Sequence, residues 1–213
     1  MIAAVLLAAG LGAGSAAEFK AAFPSASTIE SPAGGRLIHA SGFRASDPEE
    51  TPEAAARAFL TKFGAAFGIG PRQQLIARGT PAHDQAGPVR FERHIDGSPV
   101  FDGDVVVGLD TTNAVILVNC ADVPPRLAGR ARISRNAAIR AAKAAMPGLR
   151  TSDAPRAERG WRAAGDVIRP VWRVDFAATR PLGDWRTYVD AATGKVLLRT
   201  NLRRNSAQMG RGS

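Results

Sequence analysis

Cysteine and histidine are scarce in this chain, and their scarcity excludes several kinds of site. Cys120 is the single cysteine among 213 residues, so the chain cannot form a disulfide within itself. His39, His83 and His94 are too far apart in sequence to form the His-Glu-x-x-His pair of a helical zinc site, and that motif is absent. We therefore expect no metal and no cofactor, with each histidine at the surface or in a turn and Cys120 as a small buried apolar residue.

The sequence also lacks a recognisable catalytic set. No nucleophile stands beside a base and an orienting group, and no pair of carboxylates has the arrangement of an acid–base site. Asp102 and Asp104 occupy hairpin positions at which aspartate is common because it favours turns. We therefore predict no catalytic residue and no enzymatic activity.

The N-terminus lacks charge and a long apolar run. Residues 2–11 are apolar but too few to span a membrane, and no lysine or arginine precedes them. The small residues Ser15, Ala16 and Ala17 suit signal peptidase, so we predict a signal peptide over residues 1–17, cleavage after Ala17, and a secreted or periplasmic protein. A buried N-terminal helix is the alternative, which three glycines between residues 10 and 14 disfavour.

Positive charge is unevenly distributed. The net charge is +9, yet residues 1–125 contain 9 Lys and Arg against 13 Asp and Glu, whereas residues 126–213 contain 19 against 6. Such a basic half could attract nucleic acid, an anionic membrane surface or an acidic protein. Its arginines alternate with apolar residues, and no nucleic-acid recognition motif is present, so we expect no nucleic-acid partner. An acidic protein partner and a merely solvated basic face both remain open.

The first half of the chain predicts one helix followed by strands. Residues 18–46 show no sustained periodicity, and we interpret them as an irregular lead-in with one short strand near residues 36–40. Two overlapping helix starts follow, at Asp47-Pro48 and Thr51-Pro52, and the helix presents an aromatic face before it ends near Gly68. Residues 89–95, 99–110 and 114–119 have strand patterns. We assign residues 47–125 to a first domain.

The second half repeats this order. Ser134 caps a predicted helix that Pro147 ends, and strands follow over residues 167–176 and 185–200. Pro124 and Pro125, together with the change in charge, mark the boundary. The sequence therefore predicts an α+β protein of two small domains, 47–125 and 126–202, each with a helix packed on an antiparallel sheet.

Residues 184–198 specify a complete β-hairpin. Gly194 supplies the positive φ of a short loop, and Val196 and Leu198 are expected to resume the strand alternation after it. Period-two alternation places two sets of side chains on opposite faces of the first strand. These sets are Trp185, Thr187 and Val189 on one face, and Arg186, Tyr188 and Asp190 on the other.

Two motifs resemble a known family of propeptides. Residues 171–176 followed by the hairpin at 184–198 resemble the PepSY domain, a module of the propeptides of secreted thermolysin-like and fungalysin-like zinc metallopeptidases. Arg90-Phe91, the Gly-x-Pro-Val-Phe turn at residues 97–101 and the valines at 105–107 resemble the fungalysin/thermolysin propeptide (FTP) domain. The usual order is the FTP domain followed by PepSY, and the two matches together cover about residues 50–202.

The resemblance implies a partner and a set of contact residues. The partner is the catalytic domain of a secreted zinc metallopeptidase, and the candidate partner-binding residues are Arg90, Phe91, Arg93 and Tyr188. The family usually has glutamines after the Arg-Phe pair, where this chain has Glu92, Arg93 and His94.

The C-terminal residues 203–213 form a basic tail, predicted to be flexible, at the position where such propeptides join their enzyme. Arg203 and Arg204 are a candidate processing site, with a plain basic tail as the alternative. We expect an inhibitor and folding assistant of a metallopeptidase, acting in trans or derived from a truncated precursor. The alternative is a standalone secreted or periplasmic PepSY-type protein-binding module that has no protease partner.

Overall fold

The computed structural model describes residues 15–46, 51–80 and 86–203. The chain divides into two compact units, Met1–Pro125 and Arg126–Ser213, and the division falls where the charge changes sign. Each unit combines at least one helix with a largely antiparallel sheet, so the predicted α+β class is confirmed. No helix within the described ranges is long and apolar enough to cross a membrane.

The first unit has two α-helices, a short 3-10 helix and seven strands in its described residues. The helices are α1 (Ala16–Ala22) and α2 (Pro52–Phe63), and the 3-10 helix Gly64–Phe67 continues from α2. The strands are β1 (Ser27–Glu30), β2 (Leu37–Ala45), β3 (Gln73–Gly79), β4 (Gly87–Ile95), β5 (Ser98–Phe101), β6 (Val105–Leu109) and β7 (Val115–Cys120). All pair antiparallel, in the order β1-β2-β7-β6-β4, and β3 and β5 both pair with β4.

Helix α2 forms where its capping signal predicts. The Thr51 hydroxyl accepts a hydrogen bond from the Ala54 amide at 3.2 Å, and Pro52 occupies the first turn. The earlier start signal at Asp47-Pro48 lies outside the described residues. The left-handed Gly68 ends the 3-10 helix with φ of 68°.

Six phenylalanine rings form the centre of the first core. They come from α1, β2, α2 and the residues around them, and each centroid lies within 6.4 Å of at least two others. Phe19 contacts five of the other rings and is completely buried. The rings are Phe19, Phe23, Phe43, Phe59, Phe63 and Phe67.

The interpretation of residues 18–46 as an irregular lead-in is therefore wrong. Helix α1 begins with a capping box, in which the Glu18 carboxylate accepts from the Ser15 amide at 2.6 Å and the Ser15 hydroxyl accepts from the Glu18 amide at 3.2 Å. Strand β2 is much longer than the expected short strand and pairs with β7, with His39 opposite Asn119. Burial of Phe19 joins this segment to the core of the first unit.

The expected strand over residues 99–110 is interrupted. Asp102 has φ of 59°, and Gly103 is so close to Val100 that a Cβ on the glycine would lie 2.7 Å from a Val100 methyl group. The chain consequently turns between β5 and β6. Asp96 and Gly97 form the expected tight turn between β4 and β5, with φ of 50° and 74°. Strand β3 was not predicted.

The second unit has one helix and six strands in its described residues. They are α3 (Arg135–Ala144), β8 (Arg126–Leu127), β9 (Arg150–Thr151), β10 (Arg156–Ala164), β11 (Val167–Arg180), β12 (Leu182–Asp190) and β13 (Val196–Asn201). The main order is β10-β11-β12-β13, all antiparallel. The short strands β8 and β9 also pair with β11, β8 in the parallel direction.

Helix α3 packs on one face of this sheet. The Ser134 hydroxyl caps it by accepting from the Ala137 amide at 3.2 Å, which confirms the predicted start. The core beneath it contains Phe176 and Val189, with Trp172 and Trp185 packed against its edge. The aromatic residues therefore act as core residues, as the period-two pattern predicted.

The hairpin between β12 and β13 is confirmed with one correction. Gly194 has φ of 80°, and Thr187 and Val189 are fully buried on the α3 side. A register shift beside Tyr188 and Val189 places Val196 opposite Val189 but Leu198 opposite Tyr188. Val196 and Leu198 therefore do not share a face, because an extra residue at this bulge reverses the alternation.

Candidate functional site

Strand β4 carries three of the four candidate partner-binding residues and separates them by exposure. Arg90 is exposed, whereas Phe91 is 1% exposed and Arg93 is 0% exposed. Both buried residues lie on the core-facing side of the strand, in alternation with Val89 and Ile95. Phe91 and Arg93 therefore present almost no exposed surface, whereas the side chain of Arg90 is accessible, and partner binding at these residues stays a prediction.

Arg93 is the most unusual residue of the first unit. Its Nε, Nη1 and Nη2 atoms are all buried, and no hydrogen-bond acceptor reaches them from the described parts of the chain. Burial lowers the pKa of this guanidinium. Arginine nevertheless keeps its charge inside proteins, and an uncompensated buried charge costs several kcal/mol.

The charged groups around Arg93 do not neutralise it through direct contact. Asp104 favours its charged form, as would Cys120 as a thiolate, and Arg36 opposes it. Burial raises the pKa of the Cys120 thiol to about 11, so this group is neutral at ordinary pH. Partial desolvation, followed by the nearby charge of Glu92, also raises the pKa of the Asp104 carboxyl, although this residue is largely exposed.

Arg36, whose charge acts on Arg93, is itself paired with the carboxylate of Asp122. Arg36 donates to its Oδ1 from Nε at 3.0 Å and also from Nη2, and the Ser31 hydroxyl donates to its Oδ2 at 2.9 Å. Ser31 is 4% exposed, and the side chain of Arg36 is 12% exposed. This arrangement satisfies one of the two arginines and leaves Arg93 without an equivalent partner.

Tyr188, the fourth candidate, is also buried. It is 3% exposed, and the guanidinium carbon of Arg162 lies 4.7 Å from the centre of its ring. Tyr188 therefore exposes almost no surface, and the prediction that it binds a partner stays a prediction.

Charged residues form a cross-strand ladder on the sheet face opposite α3. Arg186 binds Asp175 through two hydrogen bonds of 2.9 Å, and Arg173 lies 3.6 Å from the same carboxylate. Arg173 also bonds Glu158 on β10. The Arg186–Asp175 and Arg173–Glu158 pairs join directly opposed residues of neighbouring strands, whereas Arg173 and Asp175 both lie on β11. Part of the basic charge of the second unit is thereby neutralised within the sheet.

A shallow groove of about 310 Å³ lies at one end of β11 and β12. Phe176 and Trp185 supply apolar walls, and Asp153, Asp175 and Asp184 supply carboxylates. The Trp185 indole N–H donates to the Pro181 carbonyl at 3.2 Å, so the polar edge of the ring is already bonded.

The candidate processing site lies beside this groove. Arg203 donates from Nε to Asp184 at 2.8 Å and remains 56% exposed, so its side chain is accessible. The hydrogen bond to Asp184, followed by the charge of that carboxylate, raises the pKa of Arg203. Arg204 and the remainder of the basic tail lie outside the described residues.

The predicted signal-peptide cleavage site falls inside helix α1. Ala17 is exposed in the first turn, between the capping residue Ser15 and its partner Glu18. Cleavage after Ala17 would separate the two residues of the capping box and leave Phe19 second in the mature chain. The apolar run at residues 2–11 lies outside the described residues, so the signal peptide stays a prediction.

The expected absence of a metal site is not contradicted by the described residues. No group of three or more His, Cys, Asp or Glu side chains within them could hold a metal ion. His39 is bonded to Asn119 at 2.6 Å and to Ser41 at 3.0 Å, and His94 lies 3.6 Å from Glu92. His83 lies outside the described residues.

The pattern of β4 held the information that sequence reasoning missed. Val89, Phe91, Arg93 and Ile95 are spaced two residues apart, so Arg93 shares the face of three apolar residues. The family resemblance suggested a partner contact at Arg93, whereas its position in the alternation indicated the core. A charged residue in an apolar alternation is therefore a sign of an unusual buried site.

Comparison with known proteins identifies no family. No protein-family model matches the sequence, and no curated protein matches it. Among solved structures, the Bacillus megaterium YpeB C-terminal domain matches with a TM-score of 0.36 and 15% sequence identity, over 83% of this chain and 82% of that one. A similarity this weak does not establish a shared fold, so the function proposed below depends on the residues and on the geometry within each unit.

Proposed function

We propose that this protein is a propeptide-like inhibitor and folding assistant of a secreted zinc metallopeptidase, with no catalytic activity of its own. One observation carries the proposal: the two hairpins that resemble the propeptide family, one in each unit, both form at the residues that the motifs predict. In the first, Asp96 and Gly97 join β4 to β5, and in the second, Gly194 joins β12 to β13. Each hairpin belongs to a sheet whose unit also contains a helix packed on the core.

A folding assistant acts by differential binding. A chain that binds the native protease and its late folding intermediates more tightly than the unfolded protease shifts the folding equilibrium toward the native state. The same complex inhibits the enzyme if it blocks the active-site cleft. The proposal therefore requires an interaction surface that is rigid, accessible and not already paired.

Strand β13 offers such a surface. It pairs with β12 alone among the described strands and forms the edge of its sheet. Leu197 is 38% exposed and Leu198 is 39% exposed, so this edge presents both apolar side chains and backbone hydrogen-bonding groups. An extended segment of a protease could add to this edge as a further strand.

The test combines inhibition with assisted refolding. The purified chain is mixed with thermolysin-like and fungalysin-like metallopeptidases from the same genome, and peptide hydrolysis is measured. In parallel, each unfolded catalytic domain is diluted into buffer with and without the chain. The expected result is loss of hydrolysis and a higher yield of active enzyme with at least one protease.

A paired set of variants tests the strand edge. Replacing Leu197 and Leu198 with aspartate should abolish both effects, because charge on the edge opposes strand addition. Leu182→Asp is the matched control, since Leu182 is 69% exposed but lies on β12. Unchanged hydrolysis and refolding across all candidate proteases would refute the proposal and favour a standalone binding module.

A further inference from the structure

The buried guanidinium of Arg93 indicates a binding site that is independent of the proposed protease function. Its residue is 0% exposed, and its three side-chain nitrogens have no acceptor within residues 15–46, 51–80 and 86–203. A guanidinium carries five N–H donors and one positive charge, and each buried donor without an acceptor is destabilising. Such a group in a folded core requires a compensating negative charge.

Among the residues that the structure describes, the groups around Arg93 do not provide that charge. Asp122 is held by Arg36 and Ser31, and Cys120 is a neutral thiol. Asp104 acts on Arg93 electrostatically, but its side chain is exposed and does not bond to the guanidinium. Arg36 adds a second positive charge to the same region.

We propose that the first unit binds a small inorganic anion, of the size of chloride, against the guanidinium of Arg93. The complete burial of Arg93 excludes a side chain from a partner protein, which would need an exposed surface to reach it. It also favours a compact ion over a bulky organic one. Two arginines in one region, one of them without an acceptor, are the chemistry that recognises an anion.

The first experiment compares anions at constant ionic strength. Thermal unfolding of the full chain is followed by far-UV circular dichroism in sodium chloride and in sodium gluconate. Chloride should raise the midpoint of the first unit by about 2–5 °C, since an ion that binds only the native state stabilises it by mass action. Arg93→Met, which keeps a long apolar side chain, should lose this chloride dependence.

Arg90→Met is the matched control, because Arg90 lies on the same strand but is exposed. It should retain the full chloride effect. Equal chloride effects in wild type and in Arg93→Met would overturn the proposal, because the stabilisation would then be a general salt effect. In gluconate, Arg93→Met should be more stable than wild type, since it removes an uncompensated buried charge.

Two further measurements separate a bound ion from an internal ion pair. Crystals grown in bromide should show an anomalous peak within hydrogen-bonding distance of the Arg93 guanidinium, and no peak there would overturn the proposal. Asp104→Asn should leave the chloride dependence unchanged. If chloride instead stabilises Asp104→Asn but not wild type, that carboxylate is the partner of Arg93 and the free-anion site is refuted.

Discussion

Removing the ring of Phe19 should destabilise the first unit severely. Phe19 is 0% exposed, and its centroid lies between 5.1 and 6.4 Å from five other phenylalanine rings. Replacing a buried phenylalanine with alanine costs about 3–5 kcal/mol, because it removes apolar contacts and leaves a cavity. Small domains are stable by about 5–15 kcal/mol in total, so Phe19→Ala should leave the first unit only marginally folded.

Urea unfolding can measure this effect on the first unit separately. Far-UV circular dichroism follows both units, whereas tryptophan fluorescence follows the second alone, since Trp161, Trp172 and Trp185 all lie there. Subtracting the fluorescence transition isolates the first unit, whose midpoint should fall by ~2 M urea in Phe19→Ala. Phe19→Leu, a smaller change, should give a smaller fall and keeps the test usable if the alanine variant does not fold.

Ile29→Ala is the control for this prediction. Ile29 is 54% exposed on β1, so its loss removes apolar surface without opening a cavity, and its midpoint should stay close to wild type. If Phe19→Ala unfolds at the same urea concentration as Ile29→Ala, then α1 is not part of the core and the reasoning is refuted.

Three other predictions concern single polar groups. Thr187→Val should stabilise the second unit by about 1 kcal/mol in urea unfolding, because the buried Thr187 hydroxyl has no partner in the described chain, and Thr187→Ser should not. Hydrogen bonds from the Thr112 hydroxyl and amide hold the pKa of Asp110 at about 2, below its ordinary 3.8. The stability that the charged form of Asp110 contributes should therefore be lost as the pH falls from 3.8 to about 2. Carboxyl NMR of Thr112→Val should show a higher pKa for Asp110. Asp190→Ala should cost about 2–3 kcal/mol in urea unfolding, because Asp190 Oδ1 accepts two backbone N–H groups of the hairpin turn, and Asp190→Asn should cost less because it keeps an acceptor.

Local chemistry explains which elements could be predicted. Thr51 and Ser134 are capping residues followed by helical periodicity, and Gly97 and Gly194 supply turn conformations that few other residues adopt. Each of these signals lies within a few residues of the structure that it specifies. The two helices and the two hairpins were therefore predictable from short segments.

Elements that depend on distant contacts were not predictable in this way. Helix α1 has a clear capping box, but Ser15 lies in a stretch of small residues that also suits signal peptidase, and only the burial of Phe19 shows its place in the core. Strand β3 becomes a strand through its pairing with β4, with Leu75 opposite Arg93. The bulge that turns Leu198 outward likewise depends on the register with β12.

The sequence predicted which strand carries the candidate site but not which of its side chains are buried. The motif comparison selected β4, and β4 contains the most unusual side chain of the first unit. The comparison could not show that Phe91 and Arg93 face inward, because the surroundings of Arg93 include groups that are distant in sequence, such as Cys120 and Arg36, whose charges act on it.

The aromatic cluster of the first unit has a consequence for the order in which this unit folds. All six rings come from residues 19–67, so their contacts close short loops at small entropic cost. Strand β2, in contrast, pairs with β7, so the pairing of His39 with Asn119 can form only after residue 119 has been synthesised. We therefore expect the phenylalanine cluster to collapse early as the chain leaves the ribosome, and the sheet to assemble on it afterwards.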